Sequence, residues 1–219
     1  MASKALSPFF KTISANLQPI PHALLEGEEE VFLTGETTFK HRWGQLELEL
    51  SPRGFIQTNT NVAAQLYETA GEWVKELPAI SWIDLYCGHG PFAFTIAKYG
   101  LDVQGVEINP HAIDLAKKNA SHLGSPTSFT HADSLSWNGE MLGGVIVNPP
   151  RAGLKKLAGD FLEKRPQWIL YSSCSPEALE RDLGILKNCY EITRAQLFNM
   201  FPRTEHFESL VLLKLRRNI

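Results

Sequence analysis

The sequence predicts an open α/β sheet, mostly parallel, with helices on both faces and an antiparallel end. Three observations carry this. From residue 81 short apolar runs alternate with helical patterns: SWIDLYC then PFAFTIAKYG, DVQGVEI then PHAIDLAKKNASHLG, GGVIVNPP then LKKLAGDFLEKR, QWILYSSC then PEALERDLGILKN. That rhythm belongs to doubly wound sheets, whose strands are covered on both faces. TSFTHAD, residues 127–133, adds a further strand. The last two runs, EITRAQLFNMF and ESLVLLKL, are separated only by PRTEHF. Parallel strands need a longer crossover, so this final pair is antiparallel.

Ahead of the sheet, Val62, Leu66, Ala70, Trp73 and Leu77 share one helical face, and Thr58 to Thr60 offer N-cap oxygens. Residues 28–57 alternate in patches around a Gly-containing turn, which predicts a small β-hairpin. The expected layout is an N-terminal extension over 1–56 and the α/β domain over 57–219.

With 219 residues and 43% hydrophobic content, the chain can bury a core as one domain. The formal charge of −3 argues against a surface that coats nucleic acid broadly, while leaving room for a local basic groove. No apolar run reaches the roughly 18 residues of a membrane span, and MASKALSPFFKT lacks the apolar stretch of a secretion signal. A cytoplasmic monomer without membrane contact is expected. Cys87, Cys174 and Cys189 lack the spacing of a metal knuckle, and no metal site is expected. Cys87 and Cys189 are expected to be buried and inert.

DLYCGHGPFAF, residues 84–94, ends the first sheet strand in glycines, where backbone can approach a ligand at the start of a helix. Gly88-x-Gly90-x-x-Ala93 also matches the dinucleotide fingerprint, and Glu107 follows Gly90 by 17 residues, placed to accept both hydroxyls of an adenosine ribose. NAD and S-adenosylmethionine share that ribose. Pro91 has no amide to give a pyrophosphate, which favours a ligand without phosphates. The bland alternative is a tight turn beside a solvated Glu107. Asp133, ending the next strand, would reach the adenine. Seven strands closing in a hairpin are typical of S-adenosylmethionine-dependent methyltransferases, which sets the expected fold as the class I, Rossmann-like sheet of those enzymes.

VIVNPPRAG, residues 145–153, ends the fourth strand rigidly, so that Asn148 can present its amide and Arg151 can meet a phosphate or a pyrimidine carbonyl. In YSSCSPEALERD, residues 171–182, Cys174 lies between a strand and a helix, with Ser175 as N-cap and Pro176 at the first helical position. A helix N-terminus favours the thiolate, so Cys174 is either a nucleophile or one more inert thiol.

FIQTN (55–59), DLYCGHG (84–90), NPPRAG (148–153), YSSCSP (171–176) and HFESLVLL (206–213), in this order and spacing, resemble the RNA uracil-C5 methyltransferases, which make 5-methyluridine in transfer and ribosomal RNA. Asn148 in place of Asp, with NLQPIPHALLEGEEEVFLT upstream, looks most like the branch acting on 23S ribosomal RNA. The resemblance implies that Cys174 adds to C6 of the uracil and Glu208 removes the C5 proton. It also implies S-adenosylmethionine as cofactor, held by Gln57, Tyr86, Glu107 and Asn148, with Gly88 and Asp133 alongside. It runs from about Asn16 to the end and covers the catalytic half alone. The extension would be a remnant of the family's RNA-binding region, and the cysteine cluster of the ribosomal branch has no counterpart. The chain is thus expected to be a fragment, or a short form that meets RNA through a partner protein or not at all. His89 and Pro91 depart from the residues more usual in the cofactor loop. A non-catalytic remnant that binds the cofactor or RNA, or a nicotinamide-dependent oxidoreductase resting on the glycine pattern, are the competing expectations.

Overall fold

A computed structural model describes residue 6 and residues 8–18, 29–79, 81–141 and 143–216. Residues 19–28, inside the upstream segment resembling the ribosomal branch, lie outside these. The chain begins with strands β1 (Ser14–Leu17) and β2 (Glu29–Phe32), then β3 (Phe39–Trp43) and β4 (Leu46–Leu50), then helix α1 (Thr60–Val74). The sheet domain follows as β5 (Ser81–Leu85), α2 (Pro91–Ala97), β6 (Asp102–Glu107), α3 (Pro110–Leu123) and β7 (Ser128–His131). It continues with β8 (Gly144–Val147), α4 (Lys156–Lys164), β9 (Trp168–Ser173), α5 (Pro176–Leu186), β10 (Tyr190–Phe198) and β11 (Glu208–Leu215).

The seven-stranded sheet has the order β10-β11-β9-β8-β5-β6-β7. Strands β5 to β9 are parallel, whereas β11 runs antiparallel to both β9 and β10. The expected parallel sheet with an antiparallel end is what forms, with the last strand inserted between β9 and β10. Every residue of β8 and β9 is buried, the reason those runs read as continuously apolar rather than alternating. Apolar layers cover the two faces. One joins α1, α2, α3 and the β3–β4 hairpin through Leu66, Phe92, Ile113 and Trp43, and the other joins α4 and α5 through Leu157, Phe161 and Leu186.

The region before the sheet differs in detail from expectation. The β3–β4 hairpin forms around the two-residue turn Gly44-Gln45, with Gly44 at φ 57, as a turn with glycine in its first position requires. However, β2 does not extend that hairpin but pairs back with β1, a four-residue strand too short and too exposed to show a period. Helix α1 is capped from within the expected 58–60 stretch, by Asn59, whose side chain accepts from the Val62 amide. Its buried stripe is Ala63, Leu66, Tyr67, Ala70, Gly71 and Val74, rotated from the predicted face because the hairpin adds a second surface through Trp43 against Tyr67.

Two side-chain clamps tie chain segments to the helices that cover the sheet. Asn119 of α3 accepts from the Glu49 amide and donates to its carbonyl, both at 2.9 Å, and so fixes β4 as a neighbouring strand would. On the other side Asp182 of α5, 1% exposed, accepts from the Leu154 amide at 2.7 Å and from the Tyr171 hydroxyl at 2.8 Å. Arg181 adds a hydrogen bond to the Ala152 carbonyl at 2.8 Å. The loop after β8 is thereby tied to the helix after β9. Asp182→Ala would strand a buried amide and a buried hydroxyl, and should lower unfolding free energy by about 3 kcal/mol in denaturant titration.

Candidate active site

The connections place β6 and β7 on one side of β5 and β8 and β9 on the other. Such a reversal opens a crevice at the carboxyl ends of the strands. Along that edge lie Tyr86 and Gly88 beyond β5, Glu107 at the end of β6, Asp133 beyond β7, Asn148 beyond β8 and Cys174 beyond β9.

On the β5–β7 side the Glu107 carboxylate is held by two amides, Gly88 N–H to Oε2 at 3.1 Å and Asn109 N–H to Oε1 at 2.8 Å. Each oxygen retains a lone pair for a diol. Tyr86 takes φ 62, a conformation that costs a side-chain-bearing residue about 1–2 kcal/mol, and its amide donates to Ser134 Oγ at 3.0 Å. Burial, then the charges of Asp133 and Glu107, push the Tyr86 phenol up to about 12. Asp133 also caps the short 3-10 helix Ser134–Ser136 by accepting from the Leu135 amide at 3.0 Å. The two glycines differ in purpose. A Cβ on Gly88 would meet nothing within 4 Å, leaving open space above the loop, whereas one on Gly90 would approach Phe129 to 2.8 Å. Gly90 therefore serves packing, which weakens the dinucleotide reading of the pattern.

Beneath this loop lie two buried polar groups that the sequence reading did not assign. Asp84, 1% exposed, accepts from the Ala93 amide at 3.2 Å through Oδ2, while Oδ1 has no partner among the described residues. Burial, then Glu107, push its carboxyl well above the usual range. His89, pushed down to about 4 by burial, accepts through Nε2 from the Ser51 amide at 3.4 Å, and its Nδ1 is also unpartnered. The loop after β4 is thus latched over the crevice, with the Arg53 carbonyl bonded to Asn109 at 3.3 Å and the Arg53 guanidinium 2.8 Å from His111. A charged residue inside the apolar run SWIDLYC was the available signal for Asp84. A carboxylate free to accept from a diol and no amide at Pro91 fit a nucleoside better than a pyrophosphate.

The second cluster forms at β9 and β11. Their register, Ser209 opposite Ser173 and Leu210 opposite Ser172, puts Ser172, Cys174 and Glu208 on one face, because side chains alternate along strands. That face looks toward α1, since Leu170 and Leu210 on it belong to the α1 layer. Glu208, 1% exposed, accepts from Ser172 Oγ at 2.5 Å and from the Gln57 side chain. Burial pushes its carboxyl up to about 7, and the two donors hold it from going higher. On α1 the Tyr67 phenol is raised by burial, then by the charges of Glu208 and Asp84.

Cys174 is half-buried at the turn into α5, where Ser175 accepts from the Ala178 amide at 3.3 Å and Pro176 opens the helix. The exposed Arg151 hydrogen-bonds the thiol. Here the structure corrects the expectation of a lowered thiol. Burial and then Glu208 push Cys174 up, and the opposing pull of Arg151 does not offset them. The partial positive charge of a helix end, about half an elementary charge, acts against a full carboxylate and desolvation. Gln57 sits in this cluster, bonded to Glu208, and Asn148 stands half-buried beyond β8, the strand between the two groups. Of the remaining cysteines Cys87 is buried as expected, while Cys189 is only half-buried. Among the described residues no helix is long and apolar enough to cross a membrane.

Comparison with known proteins gives this geometry a lineage. The family profile described as tRNA (Uracil-5-)-methyltransferase matches residues 126–216, and that of the methyltransferase small domain matches residues 64–168. The chain is 43% identical over 211 residues to the 23S rRNA (uracil(747)-C(5))-methyltransferase of Xenorhabdus nematophila, covering 94% of this chain and 56% of that protein. It is 42% identical over 216 residues to the enzyme of the same name from Photorhabdus laumondii, covering 96% of this chain and 57% of that protein. It thus spans little more than half the length of the curated relatives it matches. The crystal structure of Pyrococcus abyssi tRNA (uracil-54, C5)-methyltransferase in complex with S-adenosyl-L-homocysteine superposes with a TM-score of 0.80 at 29% identity, covering 95% of this chain and 52% of that one. Trm5b from the same organism shares the fold, with a TM-score of 0.69 at 17% identity and coverage of 94% of this chain and 64% of that one. With its class I methyltransferase sheet and these relatives, the chain belongs to the RNA uracil-C5 methyltransferase family.

Proposed function

We propose that this chain transfers a methyl group from S-adenosylmethionine to C5 of a uridine in RNA, with 23S ribosomal RNA as the substrate. The carrying observation is that β9 and β11, paired antiparallel, bring Cys174 and Glu208 onto one face beside the crevice. Uracil C5 is a weak nucleophile, and addition of a thiolate at C6 makes it one. In this reading Cys174 is that thiolate, with the Arg151 guanidinium offsetting its charge and facing the base or its phosphate. When bound, S-adenosylmethionine supplies an electrophilic methyl. Glu107 would hold its ribose diol, with Gln57, Tyr86, Gly88, Asp133 and Asn148 around it. After methylation Glu208 takes the C5 proton, the C–H electrons form the C5=C6 double bond, and the C6–S bond breaks to return the Cys174 thiolate.

The layout that goes with this reading assigns the transfer chemistry to 57–219 and treats 1–56 as an extension, although its β3–β4 hairpin shares the α1 layer through Trp43, Leu48 and Leu50. The chain acts as a cytoplasmic monomer, with an RNA-delivering partner protein supplying contacts beyond its own span.

Four measurements test this. Cys174→Ala should abolish both methyl incorporation and the covalent complex with 5-fluorouridine RNA on denaturing gels; a wild-type protein that forms no such complex at saturating cofactor sinks the reading. Glu208→Gln should cut turnover by about 10²-fold or more while the adduct accumulates. In the wild type the base works ionised and titrates near 7, so adduct breakdown should rise with pH through about 7 and fall about tenfold per unit below it. Glu107→Ala should weaken S-adenosylmethionine binding by about tenfold, about 1.4 kcal/mol, in calorimetric titration.

A further inference from the structure

The Ser172 hydroxyl is 1% exposed and its only hydrogen bond among the described residues runs to the Glu208 carboxylate. It comes from β9, two residues before Cys174 and on the same face, so one strand carries both the thiol and a donor to the proposed base. The other donor is the Gln57 side chain, buried at 3% exposure, from the loop that enters α1. We propose, on the basis of the uracil-C5 reading, that Ser172 is a positioning residue for proton removal, its hydroxyl fixing the rotamer of Glu208 and favouring the ionised carboxylate on the face shared with Cys174.

Geometry gives the reason. A carboxylate at the first residue of a strand can swing about two side-chain bonds toward or away from the thiol. Donors on two separate elements, β9 and the loop before α1, restrict that swing more than either alone. The groups that bear on Glu208 electrostatically are Cys174 after β9 and Tyr67 on α1, with Asp84 on β5 bearing on Tyr67 in turn. None of them is a cation, so hydrogen bonds are what favour the anion against burial. Arg151 engages the thiol side of the pair. Without the hydroxyl, burial acts on Glu208 opposed by Gln57 alone, and the carboxyl holds its proton to higher pH. The step affected is the transfer of the C5 proton to Glu208 with expulsion of the Cys174 thiolate. Addition of the thiolate at C6 does not use this carboxylate.

The test compares wild type, Ser172→Ala and the equal-volume pair Ser172→Thr and Ser172→Val, which covers the case in which the alanine variant fails to fold. The Glu208 carboxyl is titrated by NMR with carboxyl-13C-labelled glutamate, with Glu208→Gln to assign the signal. Single-turnover formation and breakdown of the uridine–RNA adduct are followed from pH 6 to 9. Ser172→Ala and Ser172→Val should raise the carboxyl midpoint by about one unit and slow adduct breakdown about fivefold at pH 7, with recovery toward pH 9 and adduct formation that is not slowed. Ser172→Thr should stay with the wild type. Equal midpoints in the threonine and valine proteins, or slowing that does not depend on pH, would overturn the proposal and leave Ser172 a packing residue. If the wild type forms no adduct, the uracil-C5 reading fails by itself, and the titration still decides whether Ser172 controls the carboxylate.

Discussion

The pairing of β11 with β9 is the constraint on which the rest of the site depends. Strand β11 lies between two neighbours and is buried on both faces. Leu210 and Leu212 go into the layer with α1, and Val211 and Leu213 into the layer with α4 and α5. A slip of one residue would exchange these sets and turn Glu208 away from Cys174. Two apolar layers therefore fix the register that aligns a carboxylate with a thiol, and residues far from the two groups hold them in place.

Electrostatics at the site follow from burial more than from helix ends. Asp84, Tyr67, Glu208 and Cys174 are all shifted toward their neutral forms, with desolvation as the first cause in each. A buried cluster of neutral groups is far cheaper to fold than the same groups charged. The proposed chemistry then requires charge at two of these positions. Ser172, Gln57 and Arg151 are the polar groups in contact with those two, so the local hydrogen bonds act where the fold itself opposes ionisation.

The loop from Ser51 to Gln57 links regions that would otherwise be independent. It leaves β4, which Asn119 ties to α3, crosses His89 and Asn109 at the crevice, and ends with Gln57 on Glu208. Gly54 is part of that latch, since a Cβ there would come within 2.6 Å of the His89 ring. His89 thus serves as a packing and hydrogen-bonding seat for the loop above it.

Much of this was readable in the linear chain. The parallel strands announced themselves as apolar runs separated by helical periods, because covering both faces removes alternation. The antiparallel end followed from a linker too short for a crossover. Glycines, Glu107, Asn148 and Cys174 could be ranked because strand ends in such sheets converge on one crevice. Tertiary structure decided what depends on distant partners: the β1–β2 pairing, the seating of His89 under Gly54, the bond from Gln57 to Glu208, and the rise of the Cys174 thiol against its helix end. Local spacing governs which backbone shape a segment takes. A side chain's ionisation and orientation depend on the groups folding packs around it, and those come from positions separated by most of the chain.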